Sequence, residues 1–239
     1  MSELNALRTL VIMPTFNERD SLGIYARELL NTLAEVDLLV VDDNSPDGTG
    51  VIADELAATN PRVHVLHRAD KEGLGPAYLA GFAYGLSHGY GYLVEMDADG
   101  SHRAADLPAL LQQANRNDLV IGSRWVPGGA VENWPLYRVL ISRIGNWYAA
   151  FMLRCKIKDI TAGFRVYRSE FLSSLDLTSI SSAGYSFQVE LAMRCFRAGG
   201  RITEVPIRFV ERAHGNSKMS LKIVLEALWR VTVWGLQSR

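Results

Sequence analysis

Residues 95–102 read EMDADGSH and follow the apolar run GYLV. Asp97 and Asp99 stand at i and i+2, so an extended chain puts both carboxylates on one face. Two like charges there repel unless a cation, a donor or water lies between them. Oxygen ligands at a strand end suit a hard divalent cation, Mg²⁺ or Mn²⁺, which keeps coordination positions open for phosphate oxygens. A solvated turn has the same spelling, and the triplet alone does not separate the two. Asp42 and Asp43 carry the same ambiguity, because DDNSPDG is also a turn with helix-capping residues. A third polar cluster is PTFNE at 14–18. Among the basic residues, Arg138 is notable for sitting between apolar WPLY and VLI, whereas Arg124 and Arg143 have the surface-charge alternative. Glu190 offers a base, but Arg194 four residues on offers an ion pair instead. His102 fits a supporting or helix-starting role better than ligation. Gly73 and Gly75 in KEGLGPA are not followed by GK[ST], so they allow close backbone approach rather than form a P-loop.

The elements that must position these groups alternate. TLVIM (9–13), LLVV (38–41), VHVL (63–66), YLVEM (92–96) and DLVIG (118–122) read as strands, the first ended by Pro14. Helical spacing fills 20–35, about 48–59, about 76–88 and 105–115. Continuous apolar strands between amphipathic helices predict a mostly parallel sheet covered on both faces, an α/β fold. Ligands in such sheets sit beyond the carboxyl ends of the strands. The clusters at 14–18, 42–48 and 97–102 each follow such an end, so they are expected on one edge. From about 124 the pattern changes: an irregular entry and helix over 131–154, a strand or hairpin over 159–168, a helix over 184–199, a strand broken at Pro206 and a last amphipathic helix over 219–237. No linker separates the halves. The expectation is one domain, 1–239, its alternating half at 1–123 followed by an appended acceptor region with the C-terminal helix at 124–239.

Composition narrows the class. The 239 residues are 48% hydrophobic and carry a formal charge of -1, so no global field favours nucleic acid. Cys155 and Cys195 fit neither a disulfide framework nor a zinc spacing, which points to a cytosolic setting. MSELNALRTLVIMP has too short an apolar run for a signal peptide, and no stretch reaches the ~20 apolar residues of a membrane span.

PTFNE, VVDDNSPDGT, KEGLGPA, MDADGSH, IGSRW, ENWPLYRVLIS, DITAGFRVY, GYSFQVEL and ERAHGNSK occur here in one order. Together they resemble the polyprenol-phosphate (dolichyl-phosphate) mannosyltransferases, family 2 glycosyltransferases with the Rossmann-like glycosyltransferase-A fold. The likeness runs from Val11 to about Lys222, and its WPLYR and R-x-x-x-G-x-S-K segments are the more specific. It implies that GDP-mannose is bound by Pro14, Phe16 and Glu18, by Val41 and Asp43 with Asp42 in support, and by Asp97, Ala98 and Asp99 through a metal. Ser101 stands where some relatives carry a glutamine ligand, which places it at the metal with a shorter reach. Arg212 and Lys218 match a late basic pair at the donor diphosphate. Arg124 and Arg138, with Ser142, match the grip on an acceptor phosphate.

The implied chemistry is self-consistent. The acceptor would be a phosphate monoester with a second pKa of ~6, largely dianionic near neutrality, so it needs positioning and charge balance rather than a base. Arginine's planar fork suits that phosphate. Single displacement inverts the anomeric centre, giving a β-linked polyprenyl phosphate mannose. The last helix, with Trp229 and Trp234, could lie in a membrane interface or pack on the core or a second subunit. The segment 134–153 offers a second aromatic helix. The chain is then peripheral on the cytoplasmic membrane face or anchored by a protein partner. Two rivals remain: a transferase using another donor such as UDP-glucose, and a non-catalytic nucleotide-sugar-binding protein.

Overall fold

The computed structural model describes residues 7–180, 182, 184–211 and 221–237. Strands β1 (Thr9–Thr15), β2 (Val36–Asp42) and β3 (Val63–His67) alternate with helices α1 (Arg19–Thr32), α2 (Thr49–Thr59) and α3 (Leu74–Ser87). Then come β4 (Tyr92–Glu95), a 3-10 turn at Ala104–Asp106, α4 (Leu107–Ala114), β5 (Leu119–Ser123) and the short β6 (Ala130–Glu132). The rest is α5 (Leu136–Leu153), β7 (Arg165–Arg168), α6 (Ser169–Ser173), α7 (Tyr185–Arg197), β8 (Ile202–Pro206), β9 (Arg208–Val210) and α8 (Leu221–Leu236).

Seven strands form one sheet in the order β3-β2-β1-β4-β7-β5-β8, and β6 pairs with β9 in a small second sheet. Every pairing in the large sheet is parallel except those of β7, which runs antiparallel between β4 and β5. The sequence halves divided near residue 123 therefore share one sheet. Burial on both faces explains the continuous apolar strands. Leu10 and Ile12 of β1 face a core with α3, α5 and α7, while Val11 and Met13 face one with α1, α2 and α4. Gly81 lets α3 lie close on that sheet, since a Cβ there would stand 2.5 Å from Ile12 Cγ2.

Pro14 does not end β1 as its type suggests. It pairs in register with Val41 of β2. Carbonyl Ile12 accepts from Met96, and Pro14 points the same way two residues later, where β4 has already ended. The missing N–H thus faces a side with no ladder to break.

The strand order reverses at β1: the chain first builds outward through β2 and β3, then returns to place β4 on the other side. Loops leaving β1 and β4 part there and open a crevice. Those loops carry Phe16–Glu18 and Asp97–Ser101.

Candidate active site

Two adjoining cavities occupy that edge, and Leu74 and Asp97 line both. The first is lined by Pro14, Phe16, Glu18, Asp43, Lys71, Gly73, Asp97, Ala98 and Asp99, so the three polar clusters do meet on one edge. Each is tied down locally. Asp42 turns inward and accepts from Thr15 Oγ1 at 2.9 Å and Ser45 Oγ at 2.6 Å, locking the first two loops together. Asp43 faces the cleft and accepts from Arg68 Nη1 at 2.6 Å. Lys71 stands over the Phe16 ring, 3.7 Å from its centroid. Gly100 adopts φ +79°, and a Cβ there would lie 2.0 Å from the Tyr25 ring, so the turn after the acids admits only glycine.

The acids are held from below. Tyr78, buried in α3 and stacked on Phe187, donates to Asp97 Oδ1 at 3.2 Å. Burial and the nearby Asp97 carboxylate push its phenol well above the usual range, so it remains a donor. The Asp97 backbone N–H donates to His102 Nδ1 at 3.0 Å, and that ring is buried against Phe164. His102 thus supports the loop. Asp99 Oδ1 accepts from the Ser101 N–H at 3.0 Å. Beneath them, burial pushes Glu95 up to about 8 despite the opposing pull of Arg165, so it adds little negative charge under the pair at neutrality.

Among the described residues no three His, Cys, Asp or Glu side chains cluster for a metal. Two carboxylates at the cleft mouth still fit a hard divalent cation of the kind that completes its shell with phosphate oxygens and water. Asp97 and Asp99 are the residues that would hold it. Two expected contacts are not brought to the cleft. Ser101 is fully buried and does not line the cavity, and its Oγ has no hydrogen-bond partner among the described residues. Val41 points into the core from β2 and lines neither cavity. Arg212 and Lys218 lie outside the described residues.

The second cavity is lined by Arg124, Trp134, Arg138, Ser142, Thr161, Gln188 and Phe209 at its polar end and by Ile141, Tyr148, Ala149, Leu228 and Val231 of α5 and α8 along its walls. Both guanidiniums lie near the Trp134 ring, Arg138 at 3.9 Å and Arg124 at 5.4 Å from its centroid. Their counterions differ. Arg124 binds the fully buried Asp159 through Nε at 2.7 Å and Nη2 at 2.6 Å. Arg138 Nη1 binds Glu211 at 2.6 Å. Arg143 is exposed over Trp125. Glu190 pairs with Arg194 at 2.6 Å and accepts from Ser182, a bracing role rather than that of a base.

Sequence reasoning missed Lys71, Tyr78, Trp134, Asp159 and Glu211 as site residues. Of these, Lys71, Trp134, Asp159 and Glu211 stand inside the segments KEGLGPA, WPLYR, DITAGFRVY and ERAHGNSK without being singled out there, and only Tyr78 lies outside them. The acids that partner the arginines are 35 and 73 residues distant in sequence.

A mostly parallel sheet with an acid pair beyond its switch point has the architecture of a glycosyltransferase-A fold. Consistent with that class, the profile described as glycosyl transferase family 2 matches residues 10–176. The chain belongs to that family and is a glycosyltransferase. It is 55% identical over 233 residues to an undecaprenyl-phosphate mannosyltransferase of Micrococcus luteus, covering 98% of this chain and 96% of that one. It is 52% identical to a polyprenol monophosphomannose synthase of Mycolicibacterium smegmatis, covering 97% and 88%. Among solved structures, glucosyl-3-phosphoglycerate synthase from Mycobacterium tuberculosis with Mn²⁺, uridine diphosphate and phosphoglyceric acid superposes with TM-score 0.69 at 21% identity, covering 98% of this chain and 78% of that one. At that identity the likeness is one of fold.

Proposed function

We propose that this enzyme transfers mannose from GDP-mannose to a polyprenyl monophosphate, forming a polyprenyl phosphate mannose with inversion. The carrying observation is the pair of cavities that meet at Asp97, one lined by acids and one by guanidiniums with apolar walls. The names of the two bacterial relatives point the same way.

In this mechanism the first cavity takes the donor. Phe16 and Asp43 flank the nucleoside, and Asp97 and Asp99 are the residues that would hold Mg²⁺ or Mn²⁺ at the diphosphate end of this cavity. A divalent cation there neutralises charge that builds on the leaving diphosphate. Tyr78 and His102 keep Asp97 at the wall common to both cavities, so the sugar lies where the two spaces join. The second cavity takes the acceptor, with its phosphate toward Arg138, Ser142 and Arg124 and the first isoprene units against α5 and α8. A dianionic phosphate oxygen attacks without a side-chain base; the chain supplies orientation and positive potential.

Membrane contact follows from the lipid acceptor. Leu136, Leu140, Ile144, Trp147 and Phe151 form an exposed apolar stripe along α5, at helical spacing. Along and just after α5, Arg143, Arg154, Lys156 and Lys158 are exposed, and no acid stands between Leu136 and Lys158. An apolar stripe flanked by cations suits an anionic membrane interface. On α8, Val231 is buried against the core while Trp229 is exposed, so that helix both packs and presents an aromatic outward. No helix among the described residues is long and apolar enough to cross a membrane.

A donor panel tests the proposal. Purified enzyme with polyprenyl phosphate is expected to turn over GDP-mannose in preference to UDP-glucose. Preference for UDP-glucose would move the enzyme to another donor class, and binding without turnover of either would leave a nucleotide-sugar-binding protein.

A further inference from the structure

The two arginines of the second cavity are neutralised in different ways, and the difference bears on turnover. Arg124 is locked to Asp159, which is fully buried, also accepts from the Arg124 backbone N–H at 2.8 Å and is braced by Thr161. That counterion is built in. Arg138 is itself buried, stacked on Trp134, yet its counterion Glu211 has a side chain 28% exposed. Glu211 follows β9 directly and can leave without unpacking a core residue. Two buried N–H donors beside this pair, Arg138 Nε and Trp134 Nε1, have no hydrogen-bond partner among the described residues. Buried donors of that kind call for an acceptor that a single carboxylate on Nη1 does not supply.

We infer that Glu211 is an exchangeable counterion on Arg138, displaced by the acceptor phosphate on binding and returned to Arg138 after transfer. This rests on the acceptor role proposed for Arg138. A phosphate monoester brings close to two negative charges and three acceptor oxygens against one charge on the carboxylate, so displacement is favourable. Transfer forms a bond from a phosphate oxygen to the anomeric carbon as that carbon's bond to the diphosphate breaks and GDP leaves, and it turns the monoester into a diester with one negative charge. Glu211 then competes on even terms, and the product is released rather than trapped on Arg138. Glu211 is a positioning residue: it acts through Arg138 and touches no reacting atom.

Steady-state kinetics on Glu211→Gln separate this role from a simple brace. The expected result is an acceptor KM and a product inhibition constant that both fall, on the order of tenfold, with the donor KM unchanged. Glu211→Asp, which keeps the charge with a shorter reach, is expected to shift both the same way by less, and it reads the sign if the Gln variant melts early. A brace would give the opposite sign, because loosening Arg138 raises the acceptor KM. An acceptor KM that rises or stays put in both variants overturns the inference. Wild-type enzyme that makes no product from polyprenyl phosphate is a different failure, that of the proposed function itself.

Discussion

The two cavities are built by different means. The cavity proposed for the donor is made of loop ends on a mostly parallel sheet: strand register places Phe16, Asp43 and Asp97, and short hydrogen bonds fix the loops to one another. The cavity proposed for the acceptor is made of side chains reaching from distant segments, with Arg124 and Arg138 meeting partners from elsewhere in the chain. The first is specified by topology and the second by tertiary ion pairs. Substitutions on the donor side should therefore remove chemistry while leaving the fold. On the acceptor side, some should cost stability as well as affinity.

Asp99→Ala is the sharpest test of the first half. Loss of transfer on the order of a thousandfold is expected, with the melting temperature little changed. Activity persisting at wild-type level would remove the metal role. Asp159→Asn should behave in the opposite way. It leaves the Arg124 guanidinium buried without its ion-pair partner, so a stability loss of about 3 kcal/mol is expected by denaturant titration. A variant as stable as wild type would mean that Arg124 finds water or another acceptor. Arg138→Ala should raise the acceptor KM by about thirtyfold, ~2 kcal/mol, while the donor KM holds. Equal losses on both sides would erase the division between the cavities.

Smaller effects probe the margins. Replacing Trp147 and Phe151 together by serine should weaken binding to anionic vesicles roughly tenfold, with turnover of a short-chain acceptor unchanged. Unaltered sedimentation with vesicles would count against α5 as the contact. Tyr78→Phe removes one hydrogen bond to Asp97, and a few-fold loss in kcat is expected, about 1 kcal/mol at most. A full loss would give Tyr78 a larger part than support.

The same contrast marks what was legible in the sequence. Strands β1 to β5 were readable because each is a continuous apolar run followed by polar residues, and their carboxyl ends named the donor cleft. The antiparallel insertion of β7 between β4 and β5 was not, because pairing partners leave no trace in local periodicity. β6 is three half-buried residues, too short for alternation to register. Val41 and Ser101 were placed at the site through family likeness; strand alternation turns the Val41 side chain into the core, and Ser101 sits fully buried two residues after Asp99. Arg138 drew notice from its apolar surroundings and is indeed buried, but nothing near it in sequence names Glu211 as its partner.

The central claim is that a cation held by Asp97 and Asp99 lets a nucleoside diphosphate leave while arginines present a lipid phosphate to the sugar. The direct measurement is mannose transfer from GDP-mannose to polyprenyl phosphate in vesicles, with Mn²⁺ or Mg²⁺ and then with excess chelator. Formation of a β-linked product that stops with the chelator and resumes when metal is restored is the expected result. Transfer that continues at the same rate without any divalent cation would contradict it.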